Sequence, residues 1–322
     1  MYVGVTGATG KIGRWLVREL LDAGHRVRAM VRPTREGFWG DTSSAVEEIK
    51  GWGVELFPAD FGDDDSLRRF AQQIEVLVHN GYHHVDEDLF PVEWTRLNIL
   101  ASVKLYDAFW RAGGRQIIFI SSGAVYGHGP QYEEDRFGRH GLPIDERTMR
   151  APRNLYAAYK STLEDITAVF KYIHHVAPSA TLRPGGWGFD ELLGFRNYDL
   201  KGVLVDETRR LLAGEEVILK LPPEICAVDG HDLGQACNLL IAKGLTEKQA
   251  IGDWYIAGNA PMSAARFREI YAEVFGKVNL KIEPVAMPRH ETNAQIMQLG
   301  YQPRGSERTV REHLLELARR LG

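Results

Sequence analysis

The chain has 322 residues, of which 25% are charged and 44% hydrophobic, and its formal net charge is −4. This suits one large α/β unit with an appended lobe and excludes a strongly basic nucleic-acid surface. No stretch approaches the roughly 20 apolar residues that a membrane span needs, so neither nucleic acid nor membrane is an expected partner. Cys226 and Cys237 are the two cysteines. They lack metal-ligand spacing and read as buried thiols in a reducing compartment. The amino-terminal residues carry no signal-peptide pattern, so a cytoplasmic location is expected.

Tyr2–Thr6 is a short apolar run that leads into Gly7-Ala8-Thr9-Gly10-Lys11-Ile12-Gly13. Beyond it, Ile12, Leu16, Val17, Leu20 and Leu21 keep helical spacing as far as Gly24. Strand, glycine-rich turn and helix form the context of a dinucleotide-binding turn. Glycines let the backbone approach a pyrophosphate, and the helix N-terminus supplies N–H groups. The ordinary alternative is a plain strand-to-helix turn that happens to hold three glycines.

Residues 26–32 read as a second strand. Its end is where such a fold meets the adenosine ribose, and an acidic residue there would indicate NAD. This chain has Val31 and Arg32, with Arg35 beyond. An arginine can pair with a 2′-phosphate, so NADP is the expected cofactor and NAD the alternative. A loop at 34–42 and a helix at 43–51 follow. A third strand at 54–57 closes on Asp60, which either meets the adenine or caps the next helix. A fourth strand, 76–79, exits through Asn80 and Gly81.

His83 and His84 lie in a polar loop with three acids. Adjacent histidines are poor geometry for one ion, so no metal is expected, and His83 is kept as a candidate substrate contact. Residues 94–112 have helical periodicity and contain Asn98. The apolar run 116–120 reads as a buried central strand that ends at Ser121 and Ser122. A polar stretch, 128–152, precedes a helix at about 153–174.

That helix carries Tyr156 and Lys160 at i and i+4, on one face. An ammonium near a phenol favours the phenolate, which can exchange a proton with a substrate oxygen near neutral pH. Taken alone, a Tyr and a Lys at this spacing are usually a buried ring beside a solvated charge. A strand at 179–182 then exits through Arg183, Pro184 and Trp187, and the regular alternation breaks at 185–199. The expected elements beyond are helices at 201–213, 231–242, 263–275 and 306–321, with strands at 217–219, 225–228, 254–257 and 279–286.

Four motifs occur in order: Thr6-Gly7-Ala8-Thr9-Gly10-Lys11-Ile12-Gly13, Ser121-Ser122 before Val125-Tyr126-Gly127, Tyr156-Ala157-Ala158-Tyr159-Lys160, and Leu182-Arg183-Pro184. Together with Asp229–Leu233 and Leu299–Arg304 they resemble the extended short-chain dehydrogenase/reductases, the NAD(P)-dependent epimerase/dehydratase superfamily. The resemblance implies a Rossmann-type doubly wound parallel sheet with a smaller C-terminal substrate lobe. The expected division is 1–183 plus 225–258 for the dinucleotide unit and 184–224 plus 259–322 for the lobe. It also implies a catalytic set of Ser122, Tyr156 and Lys160, with Asn98 in support. Implied cofactor contacts are Gly7, Thr9, Gly10, Lys11, Ile12 and Gly13 in the turn, then Arg32, Asp60, Phe61, Asn80 and Gly81. Tyr156, Lys160, Arg183 and Pro184 complete them. His83, Ser122, Trp187 and Phe189 are the candidates to line the substrate cleft. Family members often dimerise through the helices at 94–112 and 153–174, so a homodimer is expected.

Two departures narrow the function. Dehydratases of the family follow the serine with an acidic pair, and this chain has Gly123 and Ala124. Nucleotide-sugar members carry a diphosphate-binding arginine near Ile225, and residues 221–228 hold no Arg or Lys. The leading expectation is an NADP-preferring oxidoreductase that interconverts a hydroxyl and a carbonyl on a small molecule. A sugar or nucleotide-sugar epimerase is the alternative, and a non-catalytic NADP sensor a minor one.

Overall fold

The central strands are the most apolar part of the chain, and burial explains why. The computed structural model describes residues 1–34, 36–37, 40–83, 91–127, 144–173, 179–185, 187–188, 203–221, 223–246, 253–276, 279–284 and 294–321. Arg35, His84, Phe189, the side chain of Trp187 and most of the expected 128–152 loop lie outside them. Within the described residues, β1 (Tyr2–Thr6), α1 (Lys11–Asp22), β2 (Arg26–Val31), α2 (Ser43–Gly51), β3 (Glu55–Pro58) and α3 (Asp64–Phe70) form the first half of a sheet unit. The second half is β4 (Val76–His79), α4 (Pro91–Thr95), α5 (Ala101–Arg111), β5 (Gln116–Ile120), α6 (Leu155–Ile173) and β6 (Ala180–Pro184). The carboxyl-terminal part holds α7 (Val203–Leu212), β7 (Val217–Leu221), α8 (Gly230–Ile241), β8 (Trp254–Ala257) and α9 (Ala264–Phe275). It ends with β9 (Leu280–Pro284), α10 (Ala294–Gln298) and α11 (Ser306–Leu321).

Seven strands pair in the order β8-β6-β5-β4-β1-β2-β3, all parallel. Every residue of β1, β4 and β5 is buried. Both faces are covered by helices, so these strands read as continuous apolar runs rather than alternating ones. One face packs Leu16, Val17 and Leu20 of α1 with Ala236 and Leu240 of α8. The other packs Leu67 and Phe70 of α3 with Leu105 and Phe109 of α5. Strand order reverses between β1 and β4, and the crevice at that switch point is where open α/β sheets bind ligands.

A second apolar cluster gathers Leu204, Leu219, Phe267, Leu280 and Leu314, over a parallel β7–β9 pair. Ile225 and Ala227 pack into this cluster, whereas Ile296 and Tyr301 pack with the main sheet. Among the described residues no helix is long and apolar enough to cross a membrane.

Three local expectations change. The single helix expected at 94–112 starts at Pro91 and is interrupted by a π-turn, Arg96–Leu100, between α4 and α5. The single strand expected at 225–228 is two short ones. Glu224–Ile225 pairs antiparallel with Met262–Ser263, and Ala227–Val228 pairs parallel with Trp187–Gly188. The cap of α3 is Asp63, whose carboxylate accepts the N–H groups of Asp65 and Ser66, so Asp60 is left for another role.

Helices α1 and α8 cross closely because α8 presents glycine there. A Cβ on Gly230 would lie 2.1 Å from the Trp15 ring, and one on Gly234 would lie 2.3 Å from Glu19 Cγ. Gly234→Ala is therefore expected to destabilise the protein by about 1–3 kcal/mol through overpacking. Urea unfolding should show a lower midpoint at unchanged slope; an unchanged midpoint would show that the crossing tolerates a methyl group.

Candidate functional site

The site forms where the ends of β1 and β4 meet. Gly7 has φ +64°, a left-handed conformation, and a Cβ there would lie 3.0 Å from both Asn80 O and Gly81 Cα. A Cβ on Gly13 would fall 1.9 Å from the Gly7 carbonyl oxygen. Both positions need glycine for lack of space. Helix α1 begins at Lys11 with no side-chain cap and no acid in its first turn. Its leading N–H groups and positive dipole end are thus set for an anion.

A buried chain of hydrogen bonds holds this junction. Thr6 Oγ1 accepts the N–H groups of Asn80 (3.1 Å) and Gly81 (2.8 Å) and lies 2.9 Å from His79 Nδ1. His79 Nε2 lies 2.9 Å from Ser102 Oγ, which donates to the Asn98 carbonyl at 2.5 Å. Ser102 has one hydrogen and uses it on Asn98, so His79 Nε2 is the protonated nitrogen. Nδ1 then accepts from the Thr6 hydroxyl. Burial, helped by the Lys160 ammonium, pushes the imidazole down to about 3. No local pattern links His79, Thr6 and Ser102, because the partners lie 23 to 73 residues apart.

Asn98, in the π-turn, is fully buried. Its Oδ1 accepts from His83 N (2.7 Å), and its Nδ2 donates to His83 O (2.8 Å) and Trp94 O (3.2 Å). It therefore clasps the loop that leaves β4. The His83 ring turns to the end of β2, with Nδ1 3.2 Å from Arg32 Nη2. Burial first, then the Arg32 charge, lowers its pKa. Arg32 Nε is also 3.8 Å from Asp60 Oδ2, and Asp60 Oδ1 accepts the Gly62 N–H at 2.7 Å. Arg32, Asp60 and His83 thus form one cluster, and His83 sits with the predicted cofactor residues. Phe61 lies against Gly81, where a Cβ would meet its ring at 2.6 Å.

On α6, Lys160 is buried and donates to Ile120 O at 2.8 Å, with its ammonium 5.7 Å from the Tyr156 ring centre. Burial drives its pKa down to about 7, opposed by Glu164. Ser122 lies two residues beyond Ile120. Its oxygen accepts the Ala124 N–H at 3.1 Å and caps the short 3₁₀ turn Gly123–Tyr126, which leaves its hydrogen for another acceptor. Tyr82 was not foreseen: its ring meets Tyr156 edge-on at 5.1 Å, while its hydroxyl accepts from Trp94 Nε1 at 3.0 Å. A loop tyrosine gives no sequence signal of such a contact.

Arg183 has its side chain held inside the protein. Its Nε and Nη2 bind Glu164 at 2.8 and 2.5 Å, and its Nη1 donates to the Tyr126 hydroxyl at 2.6 Å. Each of its three nitrogens thus has a buried partner.

A profile of the NAD dependent epimerase/dehydratase family matches residues 3–184. Human UDP-glucose 4-epimerase is 30% identical over 151 residues, 44% of this chain and 40% of that protein. Sterol demethylase protein B of Methylococcus capsulatus is 33% identical over 127 residues, 39% of this chain and 36% of that protein. The chain therefore spans less than half the length of these curated relatives. Among solved structures, a UDP-glucose-4-epimerase from Stenotrophomonas maltophila with bound NAD has a TM-score of 0.74 at 20% identity, covering 100% of this chain and 98% of that one. A short-chain dehydrogenase/reductase superfamily protein from Agrobacterium tumefaciens with bound NAD has a TM-score of 0.73 at 20% identity, with the same coverage. At these identities the structural likeness concerns the fold.

The neutral buried His79 makes acid stability a test of the junction. Its folded pKa lies below the unfolded value of about 6.5, so its contribution is present above that pH and is lost as pH falls towards 3. The slope is about 1.4 kcal/mol per pH unit. Between pH 6.5 and 5, urea unfolding should lose about 2 kcal/mol from this group. That component should be absent in His79→Leu; an identical acid dependence in the variant would contradict the assignment.

Proposed function

The chain belongs to the NAD-dependent epimerase/dehydratase family, and on that premise we propose that it moves hydride between a nicotinamide dinucleotide and a small-molecule carbon bearing a hydroxyl or carbonyl group. The observation that carries this reading is the placing of Lys160 between the Tyr156 ring and the strand end that leads to Ser122. The residues at the switch point suit the cofactor. Gly7 and Gly13 have no room for side chains, α1 opens with uncapped N–H groups, and Arg32 and Asp60 stand at neighbouring strand ends.

When bound, the dinucleotide supplies the hydride donor or acceptor. The glycine turn lets the backbone approach its pyrophosphate. Lys160 would hold the nicotinamide ribose, and its positive charge favours the phenolate of Tyr156. Tyr156 takes or gives the proton at the substrate oxygen, and the Ser122 hydroxyl donates a hydrogen bond to that oxygen. Asn98 supports the set by fixing the His83 loop.

We place net oxidation or reduction of the substrate first, because residues 221–228 offer no cation for a nucleotide diphosphate. Sugar epimerisation is the second reading and rests on the relatives named UDP-glucose 4-epimerase. Turnover with added NADPH and a falling absorbance at 340 nm supports the first; conversion without net cofactor change supports the second. For the dinucleotide itself we propose NADP, with Arg32 on the 2′-phosphate.

Tyr156→Phe should lower kcat by about 10²–10⁴-fold with folding and dinucleotide binding intact. Unchanged turnover would end the catalytic assignment. Arg32→Ala should weaken NADPH binding about tenfold or more and leave NADH nearly unaffected, read by fluorescence titration of each. Equal losses for both would remove the case for NADP.

A further inference from the structure

Tyr156, Lys160 and Glu164 lie at i, i+4 and i+8 on α6, and so on one helix face. The proposed reaction uses the first two. Glu164 is fully buried, and a buried carboxylate is costly unless it is paired. Here it accepts from four donors. Oε1 receives the Ser121 hydroxyl (2.5 Å) and Arg183 Nε (2.8 Å), and Oε2 receives Arg183 Nη2 (2.5 Å) and Arg150 Nη1 (3.2 Å). A carboxylate so held cannot swing away. Its charge stays fixed one helical turn beyond Lys160.

Lys160 has costly surroundings for a cation. Its ammonium lies 5.0 Å from the centre of the Phe119 ring and 5.3 Å from that of Tyr159, and it donates to the Ile120 carbonyl. Among the described residues, the groups that act on it are the Tyr156 and Tyr159 rings and the Glu164 charge from its own helix, neutral His79 from β4 and Ile120 O from β5. Arg183 of β6 is bound to Glu164. Glu164 is the carboxylate whose field opposes the desolvation of Lys160.

We propose that Glu164 is a positioning residue that acts through Lys160, its buried negative charge keeping that side chain an ammonium on the Ile120 carbonyl beside the reacting end of β5. This rests on the reading of Tyr156, Lys160 and Ser122 as the reactive set. Without the charge, burial turns Lys160 into a neutral amine near neutral pH, and a neutral amine no longer favours the phenolate of Tyr156.

The test needs no turnover, so it can fail while the hydride-transfer reading stands, and the reverse. Protein labelled with 13C-lysine and free of dinucleotide is titrated by NMR, with the Lys160 signal assigned by its loss in Lys160→Arg. In Glu164→Gln the Lys160 midpoint should fall by about one pH unit. Glu164→Asp, which keeps the charge, should return it towards the wild-type value. If Glu164→Gln does not fold, Glu164→Gln with Arg183→Met removes both buried charges together and leaves no unpaired guanidinium. A smaller downward shift is expected there, because the opposing Arg183 charge goes as well. A midpoint that stays in place in a folded variant lacking the Glu164 charge overturns the proposal.

Discussion

Two stretches of backbone meet at the ends of β1 and β4 with no room for a side chain between them. Gly7 faces Asn80 and Gly81, Gly13 faces the Gly7 carbonyl, and the Thr6 hydroxyl accepts both N–H groups of the opposite strand exit. The rest of the site depends on this contact. It sets where α1 starts, and so where its uncapped N–H groups point. Through His79 and Ser102 it also reaches the π-turn, whose Asn98 holds the loop at His83. A π-turn in an otherwise regular helix is a common mark of a functional position, and here it carries that clasp.

The second organising feature is the face of α6. Tyr156 is packed by the Tyr82 ring, Lys160 is fixed on the Ile120 carbonyl, and Glu164 anchors Ser121. Successive residues of the strand end are therefore gripped by side chains one helical turn apart. Precision of this kind is what proton transfer at a substrate oxygen requires, because a base must sit within hydrogen-bond reach of the proton it moves.

Much of this was legible in the sequence. The apolar runs 2–6, 76–79 and 116–120 had no alternation to betray one wet face, and all three are buried strands. The glycine turn was readable from its place after the first strand. Other features depend on contacts distant in sequence. The apolar spacing of 94–112 runs on smoothly through the π-turn, so nothing local marks it. Residues 224–228 split because their partners, 262–263 and 187–188, lie in different places. Arg183 stood among the contacts that the Leu182-Arg183-Pro184 motif implies; the carboxylate that holds its side chain, Glu164, comes from a helix 19 residues earlier, a pairing no local pattern shows. Glu164 was itself within reach of sequence reasoning, since it repeats the four-residue step from Tyr156 to Lys160.

We propose that the β1–β4 crevice binds a nicotinamide dinucleotide with its reactive end at Tyr156 and Lys160. A crystal structure of the chain soaked with NADP tests it most directly. The pyrophosphate is expected on the N-terminus of α1 between Gly7 and Gly13, and the nicotinamide ribose within hydrogen-bond reach of Lys160 Nζ. A dinucleotide bound elsewhere, or one lying in the crevice with its nicotinamide turned away from Lys160, would contradict it.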